Sequence, residues 1–146
     1  MQWSAPGLRT AAKDNIMDAR ILLVVSDRNR FRIRTFLEQE RLVVTSADGL
    51  QDAQRLLSGL TYDLVLVDAE LSDGSWLDLL EFILDTKKAC EMIVCSRLGD
   101  GRLWAEVFQR GAYDLIAEPY EQQQVLRIVQ GALDGRQMQK MIRARQ

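Results

Sequence analysis

Polar residues that could act together stand where aliphatic runs end: Ser26 and Asp27 after Ile21–Val25, Asp68 after Leu64–Val67, Ser96 after Met92–Cys95, and Glu118 after Asp114–Ala117. Carboxylates held close together repel, and a hard, oxygen-seeking cation such as Mg²⁺ relieves that repulsion. A neighbouring hydroxyl can donate to an anionic oxygen. With Asp68 as nucleophile, Mg²⁺ held by Asp27 and Asp68 to offset charge, and Ser96 gripping an oxygen of the transferred group, these parts suit phosphoryl transfer. Spacing alone does not select that chemistry, because Asp is also a frequent turn and helix-capping residue.

These groups can meet only if the chain brings the ends of those runs to one rim. The run Leu64-Val65-Leu66-Val67, bounded by Asp63 and Asp68, reads as a strand buried on both faces of a parallel sheet. Ile21–Val25, Leu42–Thr45, Met92–Cys95 and Asp114–Ala117 read as its companions. Between them run helical periods: Ile33, Phe36 and Leu37 within Phe31–Glu40; Ala53, Leu56 and Leu57; Leu77, Leu80, Ile83 and Leu84 up to Lys87-Lys88; a helix from about Arg102 to Arg110; and Val125, Ile128, Val129, Ala132 and Leu133. Strand and helix thus alternate five times with short connections, which predicts a doubly wound α/β sandwich with right-handed crossovers. In such sheets the ligand crevice lies at the carboxyl ends of the strands, where the polar residues above fall.

A chain of 146 residues fits one domain with one proper core. Its 47% apolar and 27% charged residues are ordinary for a globular protein, and no apolar run approaches the roughly 20 residues that span a bilayer. A cytoplasmic location is expected, with no membrane partner. Histidine is absent, which excludes an imidazole base, a phosphohistidine or a His metal ligand. Cys90 and Cys95 flank an apolar run and read as core thiols. A net charge of −2 argues against direct nucleic-acid binding. Arg28, Arg30, Arg32 and Arg34, and the late cluster Arg136, Lys140, Arg143 and Arg145, read as solvated helix surface.

Taken in order, the motifs Leu23-Val24-Val25-Ser26-Asp27, Asp68-Ala69-Glu70-Leu71-Ser72-Asp73-Gly74, Ser96-Arg97-Leu98-Gly99-Asp100 and Gly111–Pro119 closely resemble the receiver domain of two-component response regulators. The similarity runs from about Arg20 to Leu133. It implies a flavodoxin-like (CheY-like) fold of five parallel strands in the order 2-1-3-4-5, with an aspartate on strand three that takes a phosphoryl group from a histidine kinase or phosphotransfer protein. By match to the motifs, Asp68 holds the phosphoacceptor position, Asp27 that of a metal ligand in the acidic pocket, Ser96 that of the switch hydroxyl, and Glu70 that of the residue whose backbone carbonyl reaches the metal. The face of helix four, strand five and helix five is implied as the surface for output or dimerisation.

Several positions depart from the family pattern. Ser26 stands where the first of two adjacent acids is usual, which removes a charge from the Mg²⁺ site and should weaken it. Glu118 replaces the lysine that pairs with the phosphorylated aspartate. Two like charges about 4 Å apart repel by roughly 4 kcal/mol at an effective dielectric of about 20. Glu118 could relieve this by turning out to water, or by joining the metal ligands in place of the missing acid. Leu115 fills the position of the aromatic switch residue, Ser72 that of a proline, and Trp76 that of a glycine. Trp76 is expected to pack against the sheet, the alternative being a cap over the pocket.

The sequence therefore predicts a flexible arm over residues 1–19, a receiver domain over 20–133 and a helical extension over 134–146. The domain would switch partner binding or dimerisation, with the phosphorylation chemistry at Asp68 degraded or retuned, and would not itself be an enzyme. Two alternatives remain: a phosphorylation-independent docking module, and a small Mg²⁺-dependent phosphatase, for which Glu70 would be the second acid. A homodimer could form through the helix four, strand five and helix five face, or through Met138, Met141 and Ile142 on the last helix.

Overall fold

The computed structural model describes residues 19–97 and 101–145. Five strands, β1 (Arg20–Val24), β2 (Val43–Ser46), β3 (Leu64–Asp68), β4 (Glu91–Ser96) and β5 (Asp114–Ala117), form one parallel sheet in the order β2-β1-β3-β4-β5. Helices α1 (Asp27–Glu38), α2 (Leu50–Gly59), α3 (Trp76–Asp85), α4 (Gly101–Arg110) and α5 (Gln122–Arg145) connect and follow the strands. Between β3 and α3 a two-residue antiparallel hairpin pairs Glu70 with Ser75 and Leu71 with Gly74. Among the described residues no helix is long and apolar enough to cross a membrane.

The continuous aliphatic runs make this a sheet buried on both sides, because successive strand residues point to opposite faces. Ile21, Leu23, Leu64, Leu66, Ile93, Cys95 and Ile116 pack with Ile33 and Leu37 of α1 and with Val125, Val129, Ala132 and Leu133 of α5. Leu22, Val24, Val65, Val67, Met92, Val94 and Leu115 pack with Ala53 and Leu57 of α2, Trp76 and Leu79 of α3 and Val107 of α4. Trp76 is a core residue at the first position of α3, beneath a capping box in which Ser75 and Asp78 serve each other's backbone N–H. Cys95 is buried and Cys90 partly so, and burial pushes the Cys90 thiol up to about 12.

Three expectations change. α1 starts at Asp27, four residues before Phe31, because the Ser26 carbonyl accepts from the N–H groups of Asn29 and Arg30 and an acid suits a helix N-terminus. Phe31 consequently points to water. The arginines of α1 are also not a free solvated face: Arg32 Nε donates to the Tyr120 carbonyl, and Arg34 donates to the Val44 carbonyl and Ser46 Oγ. At the late basic cluster, Arg136 is 6% exposed and Lys140 Nζ donates to Asp63 Oδ1 at 2.7 Å. Asp63 also accepts the Arg20 N–H and faces Arg136 Nη2 at 3.9 Å, so one carboxylate at the N-terminal edge of the sheet ties down α5. That helix runs unbroken past Leu133 to Arg145, with Met138, Met141 and Ile142 exposed. Of the arm predicted over residues 1–19, only Ala19 lies within the described residues, and it is buried. Leu98, Gly99 and Asp100 also lie outside them.

Candidate functional site

The sheet register assembles the site. Asp68 ends β3 directly beside Cys95, and Ser96 is the next residue of β4, itself paired with Ala117 at the end of β5. One residue further, the Glu118 N–H donates to the Ser96 carbonyl at 2.9 Å. Tyr120, buried beneath this rim, donates its hydroxyl to the same carbonyl at 3.4 Å. On the other side of β3, the Ser26 N–H donates to Asp68 Oδ2 at 2.8 Å. Asp68, Ser96, Glu118 and the backbone of Ser26 therefore share the carboxyl edge that the alternating pattern predicted.

Electrostatics at Asp68 are set by three influences. Burial raises its pKa above the ordinary carboxylate range, the Ser26 N–H opposes that, and the charge of Glu118 adds to the rise. The Glu118 side chain does not turn out to water: it is 17% exposed and held inside the rim. Arg28 Nη2 donates to both its oxygens at 3.2 and 3.4 Å, Asn29 Nδ2 donates to Oε1 at 3.1 Å, and Arg97 Nε stands 3.9 Å from Oε2. Nearby cations thus stabilise an anion that would otherwise face only Asp68.

The remaining predicted residues are placed less centrally. Asp27 is 93% exposed and pairs with Arg30 Nη2 at 3.2 Å. Arg30 in turn donates to the Val25 carbonyl and approaches Asp48. Glu70 lies in the small hairpin with its side chain exposed, and Leu115 is buried in the core of β5. Among the described residues no group of three or more Asp, Glu, Cys or His side chains gathers so as to hold a metal ion. In this arrangement Asp27 is paired with Arg30 and Glu118 with Arg28.

Arg28, Asn29 and Arg97 were not singled out as pocket residues from sequence. A signal existed: Arg28 and Asn29 directly follow the strand-one acid, and Arg97 directly follows Ser96. A glutamate delivered to the same rim needs a partner of opposite charge.

Fold and rim together define a flavodoxin-like domain with a strand-three aspartate in its crevice. The chain belongs to the response regulator receiver domain family, whose model matches residues 22–130, and it is a receiver domain of two-component signalling. It is 32% identical over 107 residues to Protein PetR of Rhodobacter capsulatus, covering 72% of this chain and 45% of that protein. It is also 32% identical over 112 residues to Protein CcdB of Bacillus subtilis, covering 74% of this chain and 92% of that one. The chain thus spans less than half of the first relative and most of the second. A CheY-like receiver domain structure from Methanospirillum hungatei superposes with a TM-score of 0.76 at 21% identity, covering 84% of this chain and 98% of that one.

Proposed function

We propose that this receiver switches partner binding from Asp68 as phosphoacceptor, with phosphoryl transfer retuned to a slow rate by Glu118. The observation that carries this reading is the Glu118 carboxylate, turned into the rim and held there by Arg28 and Asn29. An ionised Asp68 attacks the phosphorus of a donor, and the leaving group departs from the opposite side. The Ser26 N–H holds one Asp68 oxygen while the other attacks. Glu118 disfavours the incoming dianion, and its clamp of guanidiniums limits that penalty. The donor would be a histidine kinase or phosphotransfer protein.

Output would leave through the face of α4, β5 and α5, where the exposed Trp104 and Phe108 stack edge to face with centroids 5.2 Å apart. A partner or a second copy would bury that pair. A second reading is favoured by the outward placement of Asp27: docking through this face without phosphorylation. Intact-mass measurement after incubation with acetyl phosphate and Mg²⁺ separates them. A slow adduct of one phosphoryl group, absent in Asp68→Asn, is expected. No adduct on a folded wild-type chain would overturn the phosphoacceptor reading and leave the docking one.

A further inference from the structure

We propose that Arg28, Asn29 and Arg97 form an oxyanion site whose resting occupant is Glu118 and whose signalling occupant is a phosphoryl group. The second half rests on the reading of Asp68 as phosphoacceptor; the first half stands without it.

Donors from two separate segments, the first turn of α1 and the residue following β4, converge on one carboxylate supplied by a third. The fit to that carboxylate is incomplete. Arg28 shares the single nitrogen Nη2 between both oxygens, at 3.2 and 3.4 Å, instead of forking two nitrogens, and Arg97 reaches only to 3.9 Å. A guanidinium pairs best through two parallel N–H groups, so donor capacity around Glu118 is under-used. A tetrahedral oxyanion has an additional oxygen and a larger charge to engage it.

Exchange of the occupant requires movement of the arginines, whose side chains are mostly exposed, while the Glu118 carboxylate is 17% exposed and stays within the rim. Asp68 stands on the same rim, with one oxygen tied to the N–H of Ser26, two residues before Arg28. A phosphoryl group on Asp68 draws Arg28 and Arg97 from Glu118, so the first turn of α1 and Arg97 respond together.

The test is titration of inorganic phosphate in EDTA-containing buffer, followed by NMR of the Arg28 and Arg97 Nε–H and the Asn29 side-chain amide. Removing the occupant's charge in Glu118→Gln should tighten binding on the order of tenfold over wild type, with saturable shifts at all three residues. The tightening should vanish in Glu118→Gln combined with Arg28→Ala and persist in Glu118→Gln combined with Asp68→Asn. Equal affinity in wild type and Glu118→Gln, or shifts confined to other residues, would overturn the site. Binding in Glu118→Gln alongside no acetyl-phosphate adduct on the wild type would retain the site and overturn only its signalling occupant.

Discussion

Replacing Asp63 with Ala should loosen the distal half of α5, and the size of the effect follows from what the carboxylate holds. Asp63 is 14% exposed, and the Arg136 side chain opposite it is 7% exposed. The Nε of Arg136 is already a buried donor without a hydrogen-bond partner. Removing the carboxylate would leave the buried Arg136 with the Gln139 oxygen at 3.4 Å and the charge of Glu91, and losing the partner of a comparable buried pair costs about 3–5 kcal/mol. The 3.9 Å separation between Arg136 and Asp63 places this pair at the low end of that range. Lys140 is closer, at 2.7 Å, but 49% exposed, so its share is below about 1 kcal/mol. The Arg20 N–H loses its acceptor as well, at a further cost near 1 kcal/mol. We therefore expect Asp63→Ala to cost about 4 kcal/mol by urea unfolding, and Lys140→Ala less than about 1 kcal/mol. Amide exchange should accelerate from Asp134 onward in Asp63→Ala. A change within about 0.5 kcal/mol of wild type, the range of an ordinary surface substitution, would refute the assignment of Asp63 as the anchor of α5.

Trp76→Ala should cost about 3–5 kcal/mol in chemical denaturation, because Trp76 is core and not a lid on the pocket. Asp73 accepts the N–H groups of Leu50 and Gln51, and these bonds hold its carboxyl below the usual range. Its contribution is thus present above the unfolded carboxylate pKa and lost as pH falls through the lower folded value. Asp73→Asn should flatten that acid limb of stability and speed amide exchange in the first turn of α2. Asp68 carries the opposite sign: its pKa is raised, so the folded state holds its proton longer and stability falls as pH rises between the unfolded and folded values. Asp68→Asn should therefore raise the thermal midpoint at neutral pH, with the gain disappearing in acid.

The sheet was legible because its three central strands β1, β3 and β4 are aliphatic runs whose alternate residues are claimed by opposite helical layers. Helix faces followed from the helical period in α1, α2 and α5, whereas α3 buries Trp76, Leu79, Leu80 and Ile83 and leaves Leu84 exposed, and the carboxyl rim followed from the chain order of strands. The start of α1 was missed because an arginine-rich first turn carries no apolar period, although Asp27 supplied the charge such a turn favours. The roles of Arg28 and Arg97 were hidden for a related reason. Alternating arginines on a helix resemble solvated surface until a particular carboxylate, Glu118, is known to lie on the same rim. Arg136 likewise became a core residue only through Asp63, which lies 73 positions earlier in the chain. Long-range charge pairing leaves no local period, and that is where sequence reasoning fell short here.

The most direct test of the central claim, that Glu118 sets the chemistry of this rim, is the rate of phosphoryl adduct formation at Asp68 in Glu118→Lys against wild type. Both would be incubated with acetyl phosphate and Mg²⁺ and followed by intact mass, with Asp68→Asn as the blank. Reversal of charge beside the incoming dianion removes a repulsion of roughly 4 kcal/mol per unit of phosphoryl charge at about 4 Å, and the existing arginine clamp absorbs much of it, so an acceleration of about tenfold or more is predicted. Equal rates, or a slower adduct in Glu118→Lys, would contradict the account.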